Sequence, residues 1–465
     1  MSNQVIGDWS KARVHFVGIG GSGMSGIARI MASRGAEVSG SDLHDSSTLN
    51  GLRSLGVTIY IGHNNQNINN ADLVIKSSAI PASNPELEEA QSRGIPILER
   101  ASALAQLMIG TRSVAVAGTH GKTTTTSMLT VALQHSGLDP SFAIGATVSN
   151  SGTNAHQGSG NTFIVEADES DGSFTAYKPL GAIITNIELD HVDNFATLAQ
   201  IDQIFDDFVA TIRPDGFLVL CIDDPGALRL MERVKKKGSS ISISTYGIDS
   251  DADLRLDRIH LQPKSAEARV SYKGRVLGQM ELAITGRHNL LNACAALLAG
   301  LELGANANDL IKGLALFSGA RRRFEIKGIS RGITVIDDYG HHPTEIKATL
   351  ESARIYAQSG RVLTVFQPHR YSRTQVFASE FAKALSASDY TYLLEIYPAS
   401  EKEIPGVSSL LISKEMASSN HSYQPSMPEV VEAVAKMAKS GDLILTLGAG
   451  DVSSLGKLIL EAIES

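Results

Sequence analysis

A chain of 465 residues, 43% hydrophobic and 19% charged, has the balance of a soluble globular protein and room for about three domains of roughly 150 residues each. Its net charge of −8 argues against general binding to nucleic acid or an acidic membrane, since both need a basic face. The only cysteines, Cys221 and Cys294, sit in apolar contexts and read as reduced core residues, not as a disulfide framework or a zinc site. No apolar run approaches the length of a membrane span, and MSNQVIGDWSKARV holds no signal-peptide core. The expectation is a cytoplasmic protein without membrane insertion.

In chain order, residues 14–17 predict a buried strand that runs into Gly18-Ile19-Gly20-Gly21-Ser22-Gly23, with a helix over 24–33. Gly18, Gly20 and Gly23 fit G-x-G-x-x-G, which lets a pyrophosphate approach the backbone at a helix start. A second strand over 37–41 ends at Asp42, where a dinucleotide fold places its ribose-binding acid. Alone, this pattern does not separate NAD, FAD and other nucleotides, nor exclude a tight turn without a ligand. The alternation continues with strands at 57–61, 73–77 and 95–98 and a helix at 86–93, which predicts a parallel α/β domain. Ser77 and Ser78 follow a strand's carboxyl end, which suits either a ligand or a plain turn.

Residues 113–117 predict the next strand, followed by Gly118-Thr119-His120-Gly121-Lys122-Thr123 and a helix from Thr124. Strand, glycine turn and helix N-terminus make an anion site. Lys122 adds a mobile cation for β/γ-phosphates, and Thr123 a hydroxyl suited to Mg²⁺. The full pattern G-x-x-x-x-G-K-[ST] would put its first glycine on Val116, so the loop is a shortened variant led by Gly118. A strand over 163–165 ends in Glu166-Ala167-Asp168-Glu169-Ser170-Asp171, where Glu166 is the first candidate Mg²⁺ ligand. Another strand over 182–187 precedes Asp190-His191, giving His191 a metal or phosphate role. Strands are expected at 218–221 and 241–245, and residues 254–282 read as an antiparallel appendage turning at Lys273-Gly274. His288, Asn289 and Asn292 open the helix 290–301 and could hold an adenine edge, with capping by Asn289 as the alternative.

Arg321-Arg322-Arg323 mark a boundary, either solvated or reaching a triphosphate. The third α/β stretch has strands at 333–336, 362–366 and 443–447 and a helix at 344–357. Its loops carry Asp337-Asp338-Tyr339-Gly340-His341-His342-Pro343 and Gln367-Pro368-His369-Arg370-Tyr371-Ser372-Arg373. The latter is a carboxylate or phosphate clamp, or a surface basic patch.

GIGGSGMSG (18–26), GTHGKTTTT (118–126), EADESD (166–171), GRHNLLN (286–292), DDYGHHPTE (337–345) and FQPHRYSRT (366–374) together resemble the Mur ligase family, and within it the alanine-adding branch. Several members carry a modified lysine downstream of the histidine matched by His191; residues 192–212 hold none, as in that branch. The resemblance implies an α/β fold of three domains: a Rossmann-like domain at 1–109 for the UDP-sugar, a central P-loop ATPase-type domain at 110–320, and a Rossmann-like C-terminal domain at 321–465 for the amino acid. It implies ATP and Mg²⁺, phosphorylation of the lactyl carboxylate of UDP-N-acetylmuramate, and attack by L-alanine on the acyl phosphate. Such chemistry needs positioning and charge neutralisation more than a side-chain nucleophile, and no Ser-His-Asp or Cys-His arrangement stands out.

By the same resemblance the sugar nucleotide sits at Gly18, Gly20, Gly21, Ser22, Gly23, Asp42, Ser77 and Ser78. ATP sits at Gly118, Thr119, His120, Gly121, Lys122, Thr123, Thr124, His288, Asn289 and Asn292, with Asp338 and Arg322 or Arg323 reaching it. Tyr339, His341, Arg370 and Arg373 line the amino-acid side. Thr123, Glu166 and His191 are the metal candidates; Lys122, Glu166, His191, His341 and Arg373 are the catalytic ones. A monomer or homodimer is expected. The rivals are a peptide-recycling ligase of the same family, an NAD-dependent oxidoreductase and a non-catalytic nucleotide switch.

Overall fold

The computed structural model describes residues 9–248, 251–416 and 420–464. Three sheets follow one another along the chain. In the first, five parallel strands take the order 3-2-1-4-5 counted along the chain. Arg13–Val17 is central, between Glu37–Asp42 and Leu73–Lys76. After Arg13 its side chains are all buried, as a parallel strand covered on both faces requires. Strand order reverses on either side of Arg13–Val17, and that reversal opens a crevice at the carboxyl ends. The glycine loop leaves the strand there.

The second sheet has ten strands. Arg112–Ala117 lies between Gly181–Ile184 and Thr162–Glu166, all parallel, so the loops after these three strands open on one mouth. The helix Lys122–His135 starts two residues earlier than its sequence suggests and is buried from Thr123 to Leu133. Four consecutive threonines are poor helix formers. Here the hydroxyls of Thr126, Ser127 and Thr130 donate to carbonyls four residues back at 2.7–2.8 Å, which satisfies them inside the protein.

The expected appendage is not separate. Leu254–Gln262, Ser265–Tyr272 and Arg275–Leu282 form an antiparallel meander, and Leu254 and Arg255 pair in parallel with Tyr246 and Gly247 of the main sheet. Alternating Leu254, Leu256, Ala266, Ala268 and Val270 share a core with the helix Arg287–Glu302. That shared burial, against the helix that follows the meander directly, fixes the meander to the sheet.

The third sheet has six strands. Leu443–Leu447 is central between Ile333–Asp338 and Val362–Phe366, and Glu325–Ser330 is an unanticipated antiparallel edge. One apolar cluster runs from Met24 and Ile27 of the first sheet's helix through Ala155 to Phe163 and Phe205. The clusters of the third sheet contain only residues from 324 onward. The first two sheets are therefore joined by a common core, and the third meets the second through polar side chains.

Candidate active site

The phosphate-type loop is held by glycines where no other residue fits. Gly118 has φ 129°, and a Cβ there would lie 2.1 Å from Thr185 Oγ1; at Gly121, φ 82°, it would lie 2.6 Å from Asn292 Oδ1. The His120 amide donates to Asn186 Oδ1 at 2.8 Å. Gly121 precedes the helix, so the free amides of its first turn and the positive end of its dipole face the loop. This cradle fits a polyphosphate.

Lys122 Nζ donates to the Gly118 carbonyl at 2.8 Å and to Glu169 Oε1 at 2.9 Å. Burial alone would lower its pKa, but Glu169 and then Asp168 hold it above the ordinary lysine value. Thr123 Oγ1 donates to Glu166 Oε1 at 2.8 Å, and the Gly145 amide to Glu166 Oε2 at 2.6 Å. Thr123 and Glu166 are thus brought together as expected. His191 stands in a neighbouring group: its Nε2 is 3.4 Å from Glu169 Oε1, and Asp168, Glu169 and His191 present donor atoms within 4.8 Å of one another. His191 has φ 51°. Two carboxylates and a threonine hydroxyl beside a phosphate cradle are the hard oxygen donors that Mg²⁺ takes, so the residues fit that ion, with His191 on the side of Glu169 and not of Glu166.

The third domain closes over this mouth. His342 Nε2 lies 3.2 Å from the Leu189 carbonyl, and Thr344 Oγ1 donates to Glu188 at 2.6 Å. Arg373, 3% exposed, donates Nε and Nη2 to Asp190 Oδ1 at 2.9 and 2.7 Å. Burial would raise the Asp190 pKa, but Arg373 and then His191 hold it far below the usual carboxylate range. The expectation of Arg373 as a free clamp is corrected here: its fork is committed to Asp190, since a buried carboxylate needs a charged partner. Arg370 (φ 73°) pairs with Asp193 and is more open, as a helix N-cap residue at the cleft edge.

His341 Nδ1 is 3.0 Å from the Tyr339 carbonyl, and burial, against the pull of Glu345, lowers its pKa to about 3. His369 is likewise lowered to about 4, by burial and then Arg373. Both imidazoles are neutral near pH 7. His120 behaves oppositely: burial would lower its pKa, but Glu188 and Glu345 raise it to about 9.

A cavity of about 610 Å³ lies beside the loop, between the second and third domains. His288, Asn289 and Asn292 line it with Gly121 and Thr124, and so do Arg323, Asp338 and Tyr356 from the other side. Asn289 does not cap its helix: Gly286 holds that position, and Asn289 Nδ2 donates to the Thr285 carbonyl at 2.7 Å. Asp338 accepts from the amides of Phe324 and Gly340, both at 2.8 Å. Arg322 turns away to the Gly448 carbonyl at 2.6 Å; of the two arginines, Arg323 lines the cavity. Both guanidinium groups stack on Tyr339, at 4.9 and 5.2 Å.

In the first domain, Gly18 has φ 82°, and its missing Cβ would lie 3.3 Å from Ser77 Cβ. Asp42 Oδ2 accepts the Gly20 amide at 2.8 Å, so this acid braces the glycine loop. Gly21 caps the helix Ser22–Ser33; the Ser22 side chain lies outside the described residues. Ser78 follows Ser77 in the turn after Leu73–Lys76.

Several residues of the site escape sequence reading. Arg100 lies across the start of the first helix, where a Cβ on Gly23 would be 3.2 Å from its Nη1; nothing local marks it. Glu188 and Glu345 come from separate domains and meet at His120. Glu345 had a local signal, since it completes a capping box with His342.

Three family profiles match in succession: the Mur ligase family catalytic domain over residues 13–112, the Mur ligase middle domain over 116–300, and the Mur ligase glutamate ligase domain over 322–450. The UDP-N-acetylmuramate–L-alanine ligase of Paenarthrobacter aurescens is 48% identical over 463 residues, covering 100% of both chains. That of Streptomyces griseus is 48% identical over 97% of each. Among solved structures, the UDP-N-acetylmuramate–alanine ligase of Thermotoga maritima superposes with a TM-score of 0.80 at 28% identity, covering 97% of this chain and 98% of its own. A murein peptide ligase from Psychrobacter arcticus, at 24% identity and a TM-score of 0.71, shares the fold. Near-half identity along the whole length, with all three domain profiles in order, means that this chain belongs to the Mur ligase family.

Proposed function

We infer that this chain is an ATP-dependent ligase that joins L-alanine to UDP-N-acetylmuramate in peptidoglycan synthesis. Full-length identity to relatives of that name supports the reading. The observation that carries it is the convergence of Lys122, Glu166 and His191 from one domain with His341 and Arg370 from another on a single cleft beside a nucleotide-sized cavity.

ATP would lie with its base in the cavity against His288, Asn289 and Asn292, and its phosphates on the amides of residues 118–124. Lys122 neutralises charge on the β/γ bridge as it develops, and Arg323 approaches from the far wall. Thr123 and Glu166 would hold Mg²⁺, with His191 beside Asp168 and Glu169; the ion supplies charge neutralisation to the phosphoryl oxygens. The sugar nucleotide would lie on the loop 18–23, with Ser77 and Ser78 at the crevice and Asp42 bracing the loop. Its carboxylate takes the γ-phosphoryl group, and the amine of L-alanine displaces phosphate from the resulting acyl phosphate. Neutral His341 and His369 can hydrogen-bond near the attacking amine, their lowered pKa values making them weak bases. Arg370 would hold the alanine carboxylate with Tyr339 alongside, while Arg373 fastens the third domain to Asp190. That closure keeps water from the acyl phosphate.

The proposed domain bounds are 1–109, 110–320 and 321–465. The proposed setting is the cytoplasm, as a monomer or homodimer. The test is ADP release with each amino acid, with and without UDP-N-acetylmuramate. Release should require the sugar nucleotide and be greatest with L-alanine. Release driven by a tripeptide in place of L-alanine would move the chain to the recycling branch.

A further inference from the structure

His120, Glu188 and His342 form a second group of metal-type donors, their ligating atoms within 4.8 Å of one another. His120 belongs to the phosphate loop, Glu188 to the loop after Gly181–Ile184, and His342 to the third domain. The separations are not those of hydrogen bonds. His120 Nε2 is 3.7 Å from Glu188 Oε2, and His342 Nδ1 is 3.8 Å from the same oxygen. Both exceed hydrogen-bond reach. Donors around a tetrahedral ion with bonds of about 2.0–2.1 Å stand about 3.3 Å apart, so each imidazole is within roughly half an ångström of that spacing from Glu188. The buried Nε2 of His120 has no hydrogen-bond partner among the described residues.

The outer contacts point the same way. His120 Nδ1 faces Glu345 Oε1 at 3.4 Å, and His342 Nε2 faces the Leu189 carbonyl at 3.2 Å. Each imidazole therefore faces an outer acceptor with one nitrogen and Glu188 with the other. That is how metal-bound histidines are oriented. Thr344 Oγ1 fixes the Glu188 carboxylate at 2.6 Å. One weak competitor is present, the Thr344 amide 3.3 Å from His342 Nδ1. The rings lie 4.6 Å apart and are inclined by 38°, so they are not stacked face to face.

We propose that His120, Glu188 and His342 bind a zinc-class divalent cation that bridges the phosphate loop and the third domain, apart from the Mg²⁺ region at Thr123 and Glu166. Two imidazoles and one carboxylate suit zinc and its neighbours and suit Mg²⁺ poorly. Three protein donors leave a fourth position open to water. The ion takes the place of the proton that the cluster shares without it. It ties together two domains that must part for products to leave, so it acts as a brake.

The test uses the full chain stripped of metal and then saturated with Mg²⁺, with Co²⁺ as the probe. One equivalent of Co²⁺ should give visible d–d bands of a low-coordinate site, and Zn²⁺ should displace it. His342→Asn keeps a good N-cap residue, and Glu188→Gln keeps shape. Each should weaken Co²⁺ binding at least about tenfold, with thermal unfolding confirming the fold. In turnover at saturating Mg²⁺, added Zn²⁺ should slow the wild type and slow His342→Asn less. Absence of the bands, their persistence in both variants, or their loss in His191→Ala in place of these variants would overturn the proposal. The last outcome would put the ion at Asp168, Glu169 and His191.

Discussion

Two loops in this chain use the same backbone device and obtain their charge in different ways. Both follow a buried parallel strand, turn through glycines with positive φ, and open a helix: Gly18–Gly23 in the first domain and Gly118–Thr123 in the second. The second carries its own cation, Lys122, matched by Glu169 in the next loop of the same sheet. The first has no charge within it. An acid, Asp42, braces it from the neighbouring strand, and a cation, Arg100, arrives from the far edge of the domain. The comparison teaches where specificity is stored. A loop with its own lysine and hydroxyl declares a triphosphate, whereas a bare glycine loop takes its ligand preference from residues that only the fold delivers.

The largest expected effect breaks the second loop. Lys122→Ala should lower kcat by about a thousandfold, the scale of losing one preorganised charge contact. It also leaves Glu169, 2% exposed, with only His191 at 3.4 Å as a cationic neighbour, which lowers stability by less than the roughly 3–5 kcal/mol of a wholly unpaired buried charge. The double variant Lys122→Ala/Glu169→Gln should regain the melting temperature and not the activity. Recovery of activity would show that the lysine's role is structural.

Next, Glu166→Gln should reduce kcat about a hundredfold by weakening the metal side of the same loop, with partial rescue by excess Mg²⁺ or Mn²⁺. Titration of activity against metal checks this. A deficit independent of metal concentration would leave Glu166 as a brace for Gly145 and Thr123, which it already contacts.

The first loop should respond more mildly and on a different substrate. Arg100→Ala is expected to raise KM for UDP-N-acetylmuramate about tenfold, about 1.4 kcal/mol, and to leave KM for ATP unchanged. Steady-state kinetics with each substrate varied in turn decides it. A shift in KM for ATP would mean that the two loops do not serve separate ligands.

This contrast also explains what could be read from the sequence. The phosphate loop, the acid at the strand end and the first glycine loop are contiguous patterns, and each falls at the carboxyl end of a strand, as strand-turn-helix periodicity implies. The Leu254–Leu282 meander was legible as antiparallel but not as part of the main sheet, because its attachment depends on two residue pairs and a shared helix. Glu325–Ser330 escaped because an edge strand with half-exposed side chains lacks a clean alternation. Arg373 illustrates the limit for side chains. Its place on a basic loop suggested a clamp, and only the packing of two domains reveals Asp190 as its partner. Residues that meet across 183 positions leave no local mark.

The smallest expected effect concerns the support beneath the first loop. Glu86 is fully buried, as Glu169 nearly is, but its partners are hydrogen-bond donors and not a lysine. Its carboxylate accepts from Ser41 Oγ at 2.5 Å, Asn67 Nδ2 at 2.6 Å and the Asn64 amide at 3.2 Å. His63 Nδ1 and His15 Nε2 face it at 3.3 and 3.7 Å. Burial would raise its pKa, but His15, Ser41 and Asn67 together bring it from 4.5 down to about 2. The Ser41 carbonyl in turn receives the Gly18 and Ile19 amides at 2.9 and 3.0 Å, so Glu86 steadies the loop from below. A depressed folded-state pKa means that the ionised carboxylate stabilises the fold above the unfolded value near 4.5, and that this contribution fades as pH falls toward 2. Glu86→Gln should therefore melt lower than the wild type at neutral pH, and the gap should narrow progressively below pH 4.5. Melting curves of both proteins across that range test it. A gap that stays constant down to pH 2 would assign the loss to packing and hydrogen-bond geometry, and the charge of Glu86 would then contribute nothing to holding the loop.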